Sequence, residues 1–189
     1  MYRIFKRLVD ILGALLLLIL ASPVLVWAAI AIPLDSPGGP IFTQQRMGKG
    51  GKPFTIFKFR TMRKGGENGP VLTQVGDSRI TKLGALLRRT SIDELPQLFN
   101  ILKGDMSFIG PRPEVPSIVE SEWSDDDKAR VLSVLPGLSG WAQIHGRDDL
   151  DIPTKLQYDR EYAARIGLAL DLLILVRTPI LLLTGTGIK

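Results

Sequence analysis

Apolar residues gather at the two ends of the chain, and polar and charged residues lie between them. From Leu8 to Leu34 nearly every position is apolar, interrupted by Asp10, Ser22 and Pro23. About 20 such residues cross a bilayer, so the run predicts a membrane helix within residues 1–35. Arg3, Lys6 and Arg7 precede it, and Arg46, Lys49 and Lys52 follow it. Cationic flanks favour the cytoplasmic side. A straight span cannot put both flanks there, whereas a re-entrant, hairpin-like helix can. Pro23 lacks the N–H that would bond the Ile19 carbonyl, and the Ser22 hydroxyl can bond a carbonyl one turn back, so this pair is the place for a bend. A span with a tolerated kink is the alternative, and at this point both stand. Ala29-Ile30-Ala31 resembles a signal cleavage site. The apolar segment of a secretory signal runs only about 7–15 residues, so retention is expected.

Turn chemistry follows at 35–40 and 48–51. The β-branched and aromatic stretches Ile41–Gln44 and Phe54–Phe59 read as a small β-hairpin. Residues 64–78 have no periodicity and are expected to form a loop. Helices are predicted over 81–89, over 91–103 with Gly104 as the stop, from Ser124 to the Pro136-Gly137 break, and over 154–165. Residues 166–183 are strongly apolar but hold Asp171, Arg177 and Pro179. A charge at mid-bilayer costs roughly 2.5–3.5 kcal/mol on insertion scales, which disfavours a span. A helix in the membrane interface is preferred, with a buried core helix as the alternative.

Composition narrows the chemistry. The 189 residues contain no cysteine and one histidine, His145, which excludes disulfide frameworks, thiolate metal sites and multi-histidine centres. The net charge of +5 suits phosphorylated substrates, anionic lipid or nucleic acid without choosing among them.

Asp93 and Glu94 are the first candidates. Pro96 fits only a first helical turn, so the two acids lie at or just before a helix start, where unpaired N–H groups favour anions. A carboxylate there can attack phosphorus or hold a Mg²⁺ that bridges a diphosphate. Ser91-x-x-Glu94 also matches a capping box, a purely structural use. Basic residues cluster around the pair in sequence: Lys58, Arg60 and Arg63 after the hairpin, Arg88 and Arg89 just before the acids, Arg112 in Gly110-Pro111-Arg112-Pro113, and Arg147 after Gly146. Guanidinium forks on stiff turns match phosphate oxygens. They suit a diphosphate better than a nucleic-acid track, and no nucleic-acid partner is expected. Trp141, Gln143 and His145 could contact a base or sugar, and Asp159 joins Gln143 among the substrate-binding candidates.

Three long strings carry a resemblance: Phe57-Lys58-Phe59-Arg60-Thr61-Met62, Arg88 through Asn100 with Ser91-Ile92-Asp93-Glu94-Leu95-Pro96-Gln97, and Lys103 through Pro113 with Gly110-Pro111-Arg112-Pro113. With Gly140-Trp141-Ala142-Gln143, Gly146-Arg147 and Ser22-Pro23, they closely resemble the monotopic phosphoglycosyl transferases, also called bacterial sugar transferases. The size is similar to that family's minimal members. The resemblance implies that Asp93 attacks the β-phosphorus of a UDP-sugar, releasing UMP and forming a covalent aspartyl phospho-sugar. A polyprenyl (undecaprenyl) phosphate then takes the sugar phosphate. It further implies Mg²⁺ at Asp93, a supporting Glu94, and phosphates held by Lys58, Arg88, Arg112 and Arg147.

It also favours the re-entrant reading, with Ser22 and Pro23 at the bend. The expected fold is α+β and mainly helical: a re-entrant membrane helix over 1–35, then a catalytic domain over 36–189 with a small hairpin and interfacial helices. That domain would face the cytoplasm from the bacterial inner membrane, and a homo-oligomer is compatible with it. Two other readings are kept. One is a ternary-complex transferase in which Asp93 only binds metal. The other is a non-enzymatic lipid-binding scaffold.

Overall fold

The computed structural model describes residues 1–65, 77–146 and 149–184, with side chains through Leu181. The fold is mainly helical. Helix α1 runs 34 residues, Tyr2–Asp35, with Pro23 and Pro33 inside it. Among the described helices it alone is long and apolar enough, by length and composition, to cross a membrane. The Ser22 hydroxyl donates to the Ile19 carbonyl at 2.8 Å, the back-bond that favours bending at Pro23.

Strands β1 (Ile41–Met47) and β2 (Pro53–Phe59) form the expected antiparallel hairpin, with Ile41 opposite Phe59 and Met47 opposite Pro53. Helices α2 (Lys82–Arg89) and α3 (Gln97–Lys103) flank it. The single helix expected over 91–103 is interrupted. Ser91 takes a left-handed backbone (φ 55°) and Ile92–Glu94 form a 3₁₀ turn. Strand β3 (Ser107–Ile109) pairs in parallel with β4 (Gly137–Ser139). Between them lie α4 (Pro116–Glu122) and α5 (Asp125–Val131). The Ser124/Asp127 capping box starts α5 as expected, but the helix stops short of Pro136. Helices α6 (Ile152–Arg165) and α7 (Leu168–Thr184) complete the chain as described.

Both halves of α1 dock on the rest of the fold. In the first half, Ala14 packs in a cluster with Ile56 of β2 and Leu98, Ile101 and Met106 in and after α3. Asp10 accepts from the Ser107 hydroxyl (3.1 Å) and the Phe108 N–H (3.0 Å), and Arg7 donates to the carbonyls of Ile101 (2.5 Å) and Leu102 (2.8 Å). In the second half, Ala28 and Ile32 pack on Phe59 and Leu87. Between these contacts Leu16, Ile19, Leu20 and Val26 stand exposed.

α7 is not a buried core helix. Ile174 and Asp171 are buried, while Leu172, Leu175, Val176 and Ile180 are exposed. Asp171 is satisfied by Tyr2 (2.5 Å), Lys6 (2.5 Å) and Tyr162 (2.8 Å), so its charge lies on the docked side.

Close backbone approach sets α2. A Cβ on Gly84 would come within 2.0 Å of the Thr61 carbonyl, so glycine is required for α2 to lie against the segment that leaves the hairpin. That approach aims Arg88 back toward the acids.

Candidate active site

The two acids sit on the 3₁₀ turn just ahead of α3. The capping box that Ser91 and Glu94 could form is absent: the Ser91 side chain makes no cap bond. Glu94 turns to β2 instead. Its Oε1 accepts from Lys58 Nζ at 3.3 Å and from Arg112 Nη2 at 3.1 Å. Glu94 is buried, so this carboxylate is neutralised by two cations rather than left to cap a helix.

Asp93 makes no hydrogen bond or ion pair among the described residues. Burial first, and the neighbouring Glu94 charge second, push its carboxyl up to about 6; Lys58, Arg88 and Arg112 pull the other way. A carboxylate with no ion pair and cations nearby has the chemistry to act as a nucleophile or to bind a metal.

The cations are held by bonds to the surrounding fold. Arg88 Nε donates to the Thr61 hydroxyl at 2.9 Å. The turn bearing Arg112 is pinned on both sides: Gly137 N–H donates to the Pro111 carbonyl (2.8 Å), Met47 N–H to the Glu114 carbonyl (2.8 Å), and Arg46 Nη1 to the Pro113 carbonyl (3.1 Å). Burial lowers the Lys58 ammonium below its usual range, against the pull of Glu94. Arg46 is likewise lowered to about 10, by burial and then by Arg112.

Lys58, Arg88 and Arg112 therefore converge on the acids. Arg60 does not: its guanidinium donates to the carbonyls of Ser36 (2.6 Å), Pro37 (2.7 Å) and Gly38 (3.3 Å), tying the exit of α1 to β2. Asp159 is buried on α6 and lines a cavity of ≈20 Å³ with Glu114 and Lys155. Burial raises its carboxyl to about 8, against Lys155. The amide of Gln143 is buried beside Gly140 with no partner among the described residues. Trp141, His145 and Tyr158 form an aromatic group, His145 stacking on Tyr158 with centroids 4.6 Å apart. Arg147 and most of the 64–78 loop lie outside the described residues.

Sequence reasoning missed Arg46, Glu114 and Gln97. Arg46 and Glu114 brace the Arg112 turn through contacts between β1 and a distant loop, which no local spacing encodes. Gln97 stands inside a motif that is plain in the sequence, but its lack of a partner appears only in three dimensions.

A donor set of one unpaired carboxylate fits Mg²⁺, which takes one or two carboxylates and completes its shell with substrate phosphates and water. Among the described residues no cluster of three or more acids or histidines offers an all-protein site.

A model of the bacterial sugar transferase family matches residues 1–185. The UDP-N-acetylgalactosamine-undecaprenyl-phosphate N-acetylgalactosaminephosphotransferase of Aeromonas hydrophila is 42% identical over 193 residues, covering 100% of this chain and 46% of the relative. The UDP-glucose:undecaprenyl-phosphate glucose-1-phosphate transferase of Escherichia coli K12 is 44% identical over 185 residues, covering 93% of this chain and 39% of the relative. An enzyme of that same description from Caulobacter vibrioides is 42% identical, covering 95% of this chain and 70% of the relative. The chain thus spans less than half the length of the first two.

Proposed function

The chain belongs to the bacterial sugar transferase family, and from that premise we propose that it moves a sugar-1-phosphate from a UDP-sugar to polyprenyl phosphate. The Aeromonas hydrophila and Escherichia coli relatives share undecaprenyl phosphate in their names and differ in the sugar, N-acetylgalactosamine in one and glucose in the other, which favours a polyprenyl phosphate acceptor.

One observation carries the mechanism: among the described residues Glu94 pairs with Lys58 and Arg112, whereas its neighbour Asp93 makes no ion pair. In this reading an Asp93 carboxylate oxygen attacks the β-phosphorus. The bond from that phosphorus to the oxygen bridging the α-phosphate breaks, and UMP leaves with the electron pair. An oxygen of the polyprenyl phosphate then attacks the same phosphorus. The aspartyl bond breaks and the carboxylate is restored. Lys58, Arg88 and Arg112 face charge developing on the phosphoryl oxygens. Glu94 holds Lys58 and Arg112 in place between turnovers. Mg²⁺, when bound by Asp93 and the diphosphate, would supply further charge neutralisation.

The docking of both α1 halves on one body supports a re-entrant helix. If residues 10–14 and 28–32 touch the same folded unit, the two ends of α1 lie on that unit's side of the membrane. The exposed middle of α1 and the outer stripe of α7 supply apolar surface for the bilayer and its interface. Nucleotide sugars are made in the cytoplasm, so the catalytic body is assigned to that face.

The test is intact mass after incubation with a panel of UDP-sugars, Mg²⁺ and no lipid. A sugar-phosphate adduct that is lost in Asp93→Asn is expected. UMP release strictly dependent on added polyprenyl phosphate, with no adduct, would replace this reading with a ternary-complex transfer.

A further inference from the structure

Gln97 is 2% exposed, and its Nε2 has no hydrogen-bond partner among the described residues. A buried amide left unsatisfied costs about 1–3 kcal/mol. Its helix neighbours Leu98 and Ile101 belong to an apolar cluster, which an apolar residue at 97 would extend without that cost. Buried unsatisfied groups are uncommon and concentrate where a ligand completes the bonding.

The local helix indicates where this amide faces. Successive three-residue bonds run from Leu95 N–H to Ile92 O (3.1 Å), Leu98 N–H to Leu95 O (3.0 Å) and Phe99 N–H to Pro96 O (3.1 Å). These bonds carry the turn into α3 (Gln97–Lys103), where residues three apart are neighbours on one face. Glu94, Gln97 and Asn100 therefore form one polar row. Both ends of the row meet β2: Glu94 pairs with Lys58, and Asn100 accepts from the Phe57 N–H (3.0 Å) and donates to the Thr55 carbonyl (2.7 Å). Among the described residues the middle member's Nε2 has no partner. Gln97 sits one turn after the Asp93-Glu94 pair, on the helix side whose other members meet β2.

We propose that Gln97 donates a hydrogen bond from Nε2 to an oxygen of the phosphoryl group brought to Asp93, making it a substrate-binding residue of the transfer site. The inference rests on the reading of the site as a phosphoryl-transfer centre and adds a neutral donor to its cations. A neutral donor suits this position. A further cation at this site would add to the repulsion among Lys58, Arg88 and Arg112, whereas an amide adds no charge when phosphate is absent.

Gln97→Met keeps side-chain length and removes the donor. In this variant the thermal midpoint without ligand is expected to stay level or rise, because an unsatisfied amide is gone. UMP release should fall about 100-fold or more in kcat/KM, the lower end for losing one oxyanion donor. The rise in midpoint that UDP with Mg²⁺ gives the wild type should shrink by at least half. Gln97→Glu, which adds a third acid, should abolish that rise. Undiminished UDP protection in Gln97→Met overturns the proposal, whether activity is kept or is lost together with the unliganded midpoint. A wild type that UDP does not protect overturns it as well. A wild type that UDP protects but that releases no UMP from any UDP-sugar overturns the transfer reading alone, and Gln97 is then decided by the UDP comparison.

Discussion

Arg112 donates to Oε1 of Glu94 at 3.1 Å and makes no ion pair with the adjacent Asp93. Lys58 makes the same choice at 3.3 Å. Two neighbouring carboxylates are thus given different work by the cations around them, and substitution should separate their roles. Asp93→Asn is expected to lower UMP release by at least about 10³-fold, as loss of a nucleophile does, while leaving the chemical denaturation midpoint level or higher. Glu94→Gln removes the carboxylate with which Lys58 and Arg112 pair. It should lose roughly 1–3 kcal/mol of stability as well as activity. Equal loss of stability in the two variants would contradict the division.

The raised Asp93 carboxyl predicts a pH profile. Attack needs the ionised form, so UMP release should fall as pH drops through about 6, burial being the main cause and Glu94 the second. The stability effect runs opposite to that of a salt-bridged acid. The native state holds this proton above the ordinary carboxylate range, so between about pH 4 and 6 it binds more protons than the unfolded chain, and stability falls as pH rises across that window. In Asp93→Asn this component should vanish. In Glu94→Gln, with the like charge removed, the acid limb of activity should move to lower pH. An acid limb that stays put in Glu94→Gln would remove Glu94 as a cause.

Much of this was legible in the sequence, for physical reasons that differ by element. The hairpin was readable because aromatic and β-branched runs flank turn residues, and α1 because its apolar run is so long. Pro96 placed the acids ahead of a helix, and they lie there. The break at Ser91 was not readable, since a left-handed serine has no local signature. Strands β3 and β4 are three residues each and pair across thirty positions, so they carry no periodicity. Arg60 and Arg88 look alike in sequence, both being basic residues beside the candidate acids or hairpin. Only tertiary geometry hands one to backbone carbonyls and the other to the site.

Asp159 offers a second pH test, away from the acid pair. Burial raises its carboxyl to about 8, more strongly than Lys155 lowers it. The native state therefore keeps a proton that the unfolded chain releases above about pH 4, and stability is lost as pH rises toward 8. Asp159→Asn cannot lose that proton. Its midpoint should exceed the wild type's by at least about 2 °C at pH 8, the scale of a kcal/mol for a chain this size, with the gap closing toward pH 4. A gap that reverses sign at pH 8 would mean that Asp159 is ionised against Lys155.

Arg60 and Arg112 should separate by readout. Arg60 binds three carbonyls where α1 ends, so Arg60→Ala should cost about 1–3 kcal/mol, the scale for charged hydrogen bonds. Its KM for the UDP-sugar at a permissive temperature should stay near the wild-type value. Arg112→Ala should instead raise KM and lower kcat together. A selective KM effect in Arg60→Ala would return Arg60 to the phosphate-binding set.

The membrane arrangement can be read directly because the chain has no cysteine of its own. Single cysteines placed at Arg3 and Lys49 bracket α1. If the helix re-enters, both should label with an impermeant maleimide only from the cytoplasmic side, in inside-out vesicles or after permeabilisation. The packing sets this expectation: Asp10 is bonded to Ser107 and Phe108, Ile32 packs with Phe59 and Leu87, and a body that holds both ends of α1 cannot lie on two sides of a bilayer. Opposite-side labelling would require one of those contact sets to break in the membrane. Ala14→Leu and Ala28→Leu decide which, because each alanine is fully buried against the body. Under the re-entrant arrangement both overpack a real interface and should cost about 1–3 kcal/mol. If α1 spans the bilayer, the variant in the half that has left the body should be neutral.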